Sequence, residues 1–335
     1  MLNSGGCGIM LWKKIWGGEA AWNTTNASVP LRPATRWRAT ILKSANPKVA
    51  ANGKPFLTGA LSDKTGTIEL KVWDYPGPLG TGDEGKVVKV RGTAGEYRGT
   101  VQFTAGRIRL AAEDDPVDVA ALVPTAPIDR TAAMDELRRW AASIEDGDYR
   151  AVAEEMLDAH GEALAAIPAA KSVHHAFLGG LLMHTANMMK IADFLAGMYP
   201  ETIDRSLLLC GTLLHDMAKE REFVFSQLGL ATDYSVKGQL LGHLVMGAQE
   251  AAETAQRLGV PEEKSVLLQH LILSHHGEPE FGAAVRPLCA EAELLSLIDS
   301  VDSRMEIYRE TYETMEPGTF SPRIFALEKK IFRHE

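Results

Sequence analysis

The chain has 335 residues and a formal net charge of −9, with 45% hydrophobic and 24% charged residues. These proportions exclude a disordered, collagen-like or fibrous chain and allow about two domains. No apolar run approaches the roughly 18 residues of a membrane-spanning helix, and three scattered cysteines, Cys7, Cys210 and Cys289, fit a reducing cytoplasm better than a disulfide framework.

In residues 1–30 the apolar Ile9-Met10-Leu11-Trp12 precedes Lys13-Lys14, the reverse of the order in a signal peptide. The segment reads as a disordered extension or an unreliable start. Residues 31–111 read as about five short strands. Trp37, Ala39 and Ile41 alternate with polar residues, and Asn52-Gly53 turns the chain into Pro55–Leu61. After Asp63-Lys64-Thr65-Gly66, Ile68, Leu70 and Val72 form one face of a strand, with Glu69, Lys71 and Trp73 on the other. Val87–Arg91 is a fourth strand, and Val101, Phe103, Ile108 and Leu110 complete a fifth unit. Five antiparallel strands in so short a stretch predict a small all-β barrel of the oligonucleotide-binding (OB) type.

This stretch is also basic. Residues 1–110 carry 16 Lys+Arg against 7 Asp+Glu, a net +9, whereas residues 111–335 carry 19 against 37, a net −18. Trp73 and Tyr97 lie among Lys71, Lys89, Arg91, Arg98, Arg107 and Arg109. Aromatic platforms with interleaved cations suit single-stranded nucleic acid, because bases stack and phosphates pair.

Residues 112–130, with Pro116, Pro124 and Pro127, read as a linker. From Arg130 onward the apolar period is helical, so residues 131–335 are expected to form an all-α body. Nine of the ten histidines lie between positions 160 and 276. His184 sits in Leu181–Thr185, His215-Asp216 ends the run from Leu207, His243 follows Leu240-Leu241-Gly242, His275-His276 follow Leu271–Ser274, and Asp299 follows Leu294–Ile298. A single histidine in an apolar helix is usually a satisfied core residue. This many titratable groups buried without partners would cost several kcal/mol each. A divalent metal removes the conflict, because it takes neutral imidazole and carboxylate together. Adjacent His-Asp can supply a terminal and a bridging ligand, and two metals sharing that carboxylate form a clamp for phosphoryl displacement.

In the ordered set His184, His215-Asp216 and Asp299 the sequence resembles the HD superfamily of metal-dependent phosphohydrolases. His243 and His275-His276 match members with two metals, and Lys219 matches a lysine often seen after the His-Asp doublet, although the family more often has Gly at Ala218. Across His174–Thr185, Gly238–His243, Leu273–Gly277 and Ile298–Ser303, and in the strand segments Gly53–Thr58 and Ile68–Asp74, it resembles the YhaM-type 3′–5′ exoribonucleases, over about residues 35–330. The resemblance implies an OB domain followed by an HD domain. The implied activity is hydrolysis of single-stranded RNA from its 3′ end to nucleoside monophosphates, with Mn2+ or a similar divalent ion (Co2+, Mg2+ or Fe2+).

By the same resemblance, His184, His215, Asp216 and Asp299 would hold one metal, and Asp216 would bridge to a second held by His243 and one or both of His275 and His276. Asp216 and Lys219 would be catalytic. His174, His175, Lys71, Trp73, Lys89, Arg91, Tyr97 and Arg98 would bind substrate. Asp302 is either an outer partner of the site or a helix-surface acid. Two rival readings remain: an HD phosphohydrolase acting on a nucleotide or cyclic dinucleotide, and an RNA-binding protein with an inactive HD domain. The Gly-Tyr-Pro triplet of the cyclic-dinucleotide class does not follow His276, and no expected ligand is missing. Single-stranded DNA as a substrate and a homo-oligomeric state are left open, and no membrane partner is expected.

Overall fold

The alternation of apolar and polar residues between positions 38 and 110 closes a barrel. In the computed structural model, which describes residues 37–335 apart from 65, 98–99, 171–174 and 227, five strands run β1 (Arg38–Val49), β2 (Pro55–Asp63), β3 (Gly66–Trp73), β4 (Val87–Tyr97) and β5 (Thr100–Leu110). Their order around the barrel is β1-β2-β3-β5-β4, and β4 returns to β1; all pairs are antiparallel except β3 with β5. This closed five-stranded arrangement leaves no free sheet edge. Leu42, Leu57, Leu61, Leu70, Val88, Val90 and Phe103 fill the interior.

The inward face of β1 differs from the expected one. Thr40, Leu42 and Ala45 point inward, while Trp37, Ala39 and Ile41 are only half-buried. A bulge between Leu42 and Ser44 shifts the strand's parity, so two core residues lie three apart rather than two. Gly59 faces this bulge, and a Cβ there would lie 2.0 Å from the Ser44 carbonyl oxygen. On the outside, the Arg109 guanidinium lies 5.3 Å from the Trp37 ring centre.

The segment expected as a linker contains a short helix, α1 (Val119–Leu122), which packs against β1 and β2. The chain divides into compact units between Pro124 and Thr125, inside that segment. The second unit is built of α2 (Arg130–Ala142), α3 (Gly147–Ala166), α4 (Gly180–Met198), α5 (Arg205–Leu214), α6 (Lys219–Glu222), α7 (Val236–Leu258), α8 (Glu262–Ser274) and α9 (Ala290–Thr314). It also carries two short ribbons, β6 (Phe223–Phe225) with β7 (Ala231–Tyr234), and β8 (Thr319–Phe320) with β9 (Phe332–Arg333).

Helix starts follow local chemistry. The side chains of Asp129, Asp146, Asp204 and Ser235 accept hydrogen bonds from otherwise unpaired N–H groups of the first turns of α2, α3, α5 and α7. Helix α5 is apolar on every side, and every residue from Ser206 to Leu214 is buried. It therefore runs through the middle of the helical unit, and the residues just after it, His215 and Asp216, emerge in the interior. No helix among the described residues is long and apolar enough to cross a membrane.

Candidate functional site

His215 and His275 occupy equivalent local positions, each the residue that follows the last turn of a helix, α5 and α8. Carbonyls in a last turn lack helical partners. The Nδ1 of His215 hydrogen-bonds the Thr212 carbonyl at 2.7 Å, and that of His275 the Ile272 carbonyl at 2.8 Å. Both rings are thereby turned so that Nε2 points forward. His184, on α4, uses Nδ1 on the Asp302 carboxylate at 2.7 Å. His243 uses Nδ1 on Glu222 Oε1 at 2.9 Å. The backbone supports this last contact: Gly242 has φ +69°, which interrupts α7, and the His243 N–H donates to the same Glu222 oxygen at 3.0 Å.

Four imidazole Nε2 atoms thus converge on one carboxylate. Asp216 Oδ2 lies 3.3 Å from His215 Nε2 and 3.9 Å from His184 Nε2, while Oδ1 lies 3.3 Å from His243 Nε2 and 3.6 Å from His275 Nε2. Asp299 Oδ1 is 3.2 Å from His184 Nε2. The donors fall into adjacent groups of ligand geometry: His184, His215 and Asp299; His215, Asp216 and His275; and His243, His275 and His276. Both members of the His275-His276 pair belong to the last group. Lys219 Nζ reaches Asp216 Oδ2 at 2.6 Å.

Two observations test whether these residues suit divalent cations. Asp216 Oδ1, His243 Nε2 and His276 Nδ1 are buried polar atoms with no hydrogen-bond partner among the described residues, and all three border the same space. The electrostatics agree. Burial would raise Asp216, but Lys219 and His215 outweigh it and hold the carboxyl well below the usual range. Burial would likewise raise Asp299 and Asp302, and His184 and His175 outweigh it. Burial pushes His275 down, and pushes His276 to about 3 with the help of His275 and His243, so both are neutral imidazoles. Burial also opposes a proton on His184, yet Asp299 and Asp302 outweigh it and raise the group to about 10. The pocket thus combines ionised carboxylates, neutral imidazoles and a demand for positive charge, the donor set of a divalent metal.

The family model described as HD domain matches residues 181–304, which contain all of these donors. The 3′–5′ exoribonuclease YhaM of Halalkalibacterium halodurans is 38% identical over 293 residues, covering 87% of this chain and 90% of that protein. The proteins of the same name from Bacillus pumilus and Bacillus subtilis are each 36% identical and cover 87% of this chain and 92% of their own length. The chain belongs to the YhaM 3′–5′ exoribonuclease family. A solution structure of the second OB-fold domain of replication protein A from Methanococcus maripaludis is 14% identical, spans 24% of this chain and 86% of that one, and has a TM-score of 0.18.

In this YhaM-family chain the substrate-binding expectations fare unevenly. His175 is corrected: it has no exposed surface, its Nε2 bonds Asp302 at 2.9 Å, and a φ of +53° holds it there, so it cannot touch a phosphate. Lys89 is corrected too. It is only 6% exposed, because its aliphatic stem is buried and its Nζ donates to the Pro116 carbonyl at 2.9 Å. Trp73 is 54% exposed, stacks on Phe56 with centroids 5.4 Å apart, and has Lys71 Nζ 4.6 Å from its ring centre. Phe56, Trp73 and Lys71 share the outer face of β2 and β3. Arg91 is exposed on β4 opposite Arg107 on β5. His174, Arg98, the Tyr97 side chain and residues 1–30 lie outside the described residues.

Three further residues border the metal groups without having been singled out as functional. Glu222 backs His243. Asn187 Nδ2 donates to Asp302 Oδ1 at 3.0 Å; it stands one turn after His184 on α4, a spacing that could have revealed it. Thr212 acts only through its main-chain carbonyl, which no side-chain pattern signals. Asp302, left open between two readings, is buried and bonded to His175, His184 and Asn187.

Proposed function

We infer that this chain is a metal-dependent 3′–5′ exoribonuclease that hydrolyses single-stranded RNA to nucleoside monophosphates. The observation that carries the reading is the single buried carboxylate of Asp216, whose two oxygens face different sets of histidines. Family membership supplies the polarity and the substrate.

His184, His215, Asp216 and Asp299 would hold one divalent ion, and Asp216, His243, His275 and His276 a second. Such ions, when bound, supply Lewis acidity at phosphoryl oxygens and make water nucleophilic at neutral pH. The residues of the chain do the rest. The four Nδ1 contacts hold the rings so that each Nε2 lone pair is aimed inward before any ligand arrives. Lys219 is itself buried; burial would strip its proton, but Asp216 outweighs burial and keeps it charged. It keeps Asp216 ionised and brings a positive charge to the wall that a phosphate meets. Trp73 and Phe56 offer a stacking surface for a base, and Lys71 and Arg91 offer charge to the backbone. Mn2+ suits the mixed nitrogen and oxygen donors. An RNA substrate and the reduced cysteines favour a cytoplasmic enzyme.

The test compares linear and circular RNA of one sequence, the linear form labelled at its 3′ end. The expected result is immediate release of the label as mononucleotide, with the circle untouched. Internal cuts in the circle would contradict the reading.

A further inference from the structure

Of the four imidazoles whose Nε2 atoms line the pocket, two are braced by neutral main-chain carbonyls and two by carboxylates. The carboxylates are divided, one to each donor group. Asp302 backs His184 in the group with His215 and Asp299, and Glu222 backs His243 in the group with His275 and His276. A carboxylate behind a ligating imidazole fixes its tautomer and raises its basicity more than a carbonyl does.

The two braces are built differently. Asp302 lies one turn beyond Asp299 on α9, and both of its oxygens are engaged: Oδ2 by His184 and His175, Oδ1 by Asn187. Glu222 ends α6, and one oxygen receives both the N–H and the Nδ1 of His243. Its main chain is pinned as well. Its carbonyl accepts the Ser235 N–H at 2.8 Å, and Gly238 packs so closely that a Cβ there would lie 2.1 Å from that carbonyl oxygen. The break at Gly242 frees the His243 N–H for Glu222. The two carboxylates sit on different elements and, among the described residues, have no hydrogen-bonding partner in common.

We propose that Glu222 and Asp302 are positioning residues for two separable cation subsites, so that each sets the affinity of one subsite with little effect on the other. This rests on the two-cation reading above. Substitutions more than one partner apart usually act independently, whereas members of one network do not.

The full chain is stripped of ions with chelator and titrated with Mn2+ by calorimetry and equilibrium dialysis. His184→Ala and His243→Ala serve as references for loss at each subsite. Wild type should take up two ions. Glu222→Gln, which preserves shape, should weaken the class lost in His243→Ala by about 10–100-fold and leave the other within about 3-fold. Asp302→Asn should do the reverse, weakening the class lost in His184→Ala, and it tests the same claim should Glu222→Gln fail to fold. Paramagnetic resonance at two equivalents of Mn2+ should show coupled ions in wild type and an isolated-ion spectrum in either variant. Two ions in wild type, with each variant weakening both classes equally or neither, would overturn the proposal alone. Uptake of a single ion by wild type would overturn the two-cation reading and the proposal with it.

Discussion

Asp216 carries more of the account than any other residue, because both donor groups depend on it. Asp216→Asn keeps the volume but removes the charge that Lys219 and the cations require. It should reduce RNA hydrolysis by far more than the ~10–100-fold expected for loss of an orienting partner, while circular dichroism and gel filtration stay those of wild type. Activity within tenfold of wild type would remove Asp216 from the centre of the site. At this scale the sequence was legible wherever the chemistry left an imbalance. Histidines and aspartates set in apolar helices cannot be satisfied by packing, so the residues of the pocket stood out. Burial itself was not legible. His175 and Lys89 look like solvent-facing groups in a list of residues, and only the fold shows their polar atoms engaged by Asp302 and by the Pro116 carbonyl. Glu222 was hidden in Lys219-Glu220-Arg221-Glu222, which reads as a solvated charged turn. Its role arises from a helix break twenty residues later in the chain.

Among the elements, α6 and α7 are tied to α3 through His160. Its Nδ1 bonds Glu220 at 2.7 Å and its Nε2 bonds Glu250 at 2.9 Å, while Glu250 also pairs with Arg221. The Glu220 and Glu250 contacts, working against burial, raise His160 to about 9 from its ordinary 6.5. A pKa raised in the folded state gives stability that is complete below about pH 6.5 and is lost as pH climbs through 9. The amount is on the order of 3 kcal/mol. Urea midpoints of wild type should therefore fall between pH 6.5 and 9.5, and those of His160→Gln should start lower and change little over that window. A wild-type midpoint that stays level across it would rule out the charged bridge. The break in α7 is a second test. A Cβ at Gly242 has space, with its nearest neighbour 3.8 Å away, but the φ of +69° disfavours any L side chain. Gly242→Ala should cost about 1–2 kcal/mol in urea unfolding and should shift the His243 ring resonances; unchanged stability would mean that the break is not required. Elements with a clear period, such as β3 and α5, could be read directly. The face of β1 could not, because one bulged residue inverts the parity of everything after it.

For the whole molecule, charge and chemistry divide between the two units. The basic barrel region has an exposed aromatic pair with a lysine beside it, and the acidic helical body has the metal donors. An acidic surface repels a polyanion except where cations offset the field. Trp73→Ala should weaken binding of single-stranded RNA by about 1–3 kcal/mol, and wild-type affinity should fall steeply with salt as neutralised phosphates regain their counterions. Equal RNA affinity for Trp73→Ala and wild type at every salt concentration would remove this face of the barrel from RNA binding. The most direct measurement of the central claim uses 5′-end-labelled single-stranded RNA with the purified chain, in Mn2+ or in chelator, beside Asp216→Asn. The account predicts a ladder that shortens one nucleotide at a time in Mn2+, and intact RNA both in chelator and with the variant. An unchanged ladder in chelator, or immediate loss of the 5′ label as mononucleotide, would contradict it.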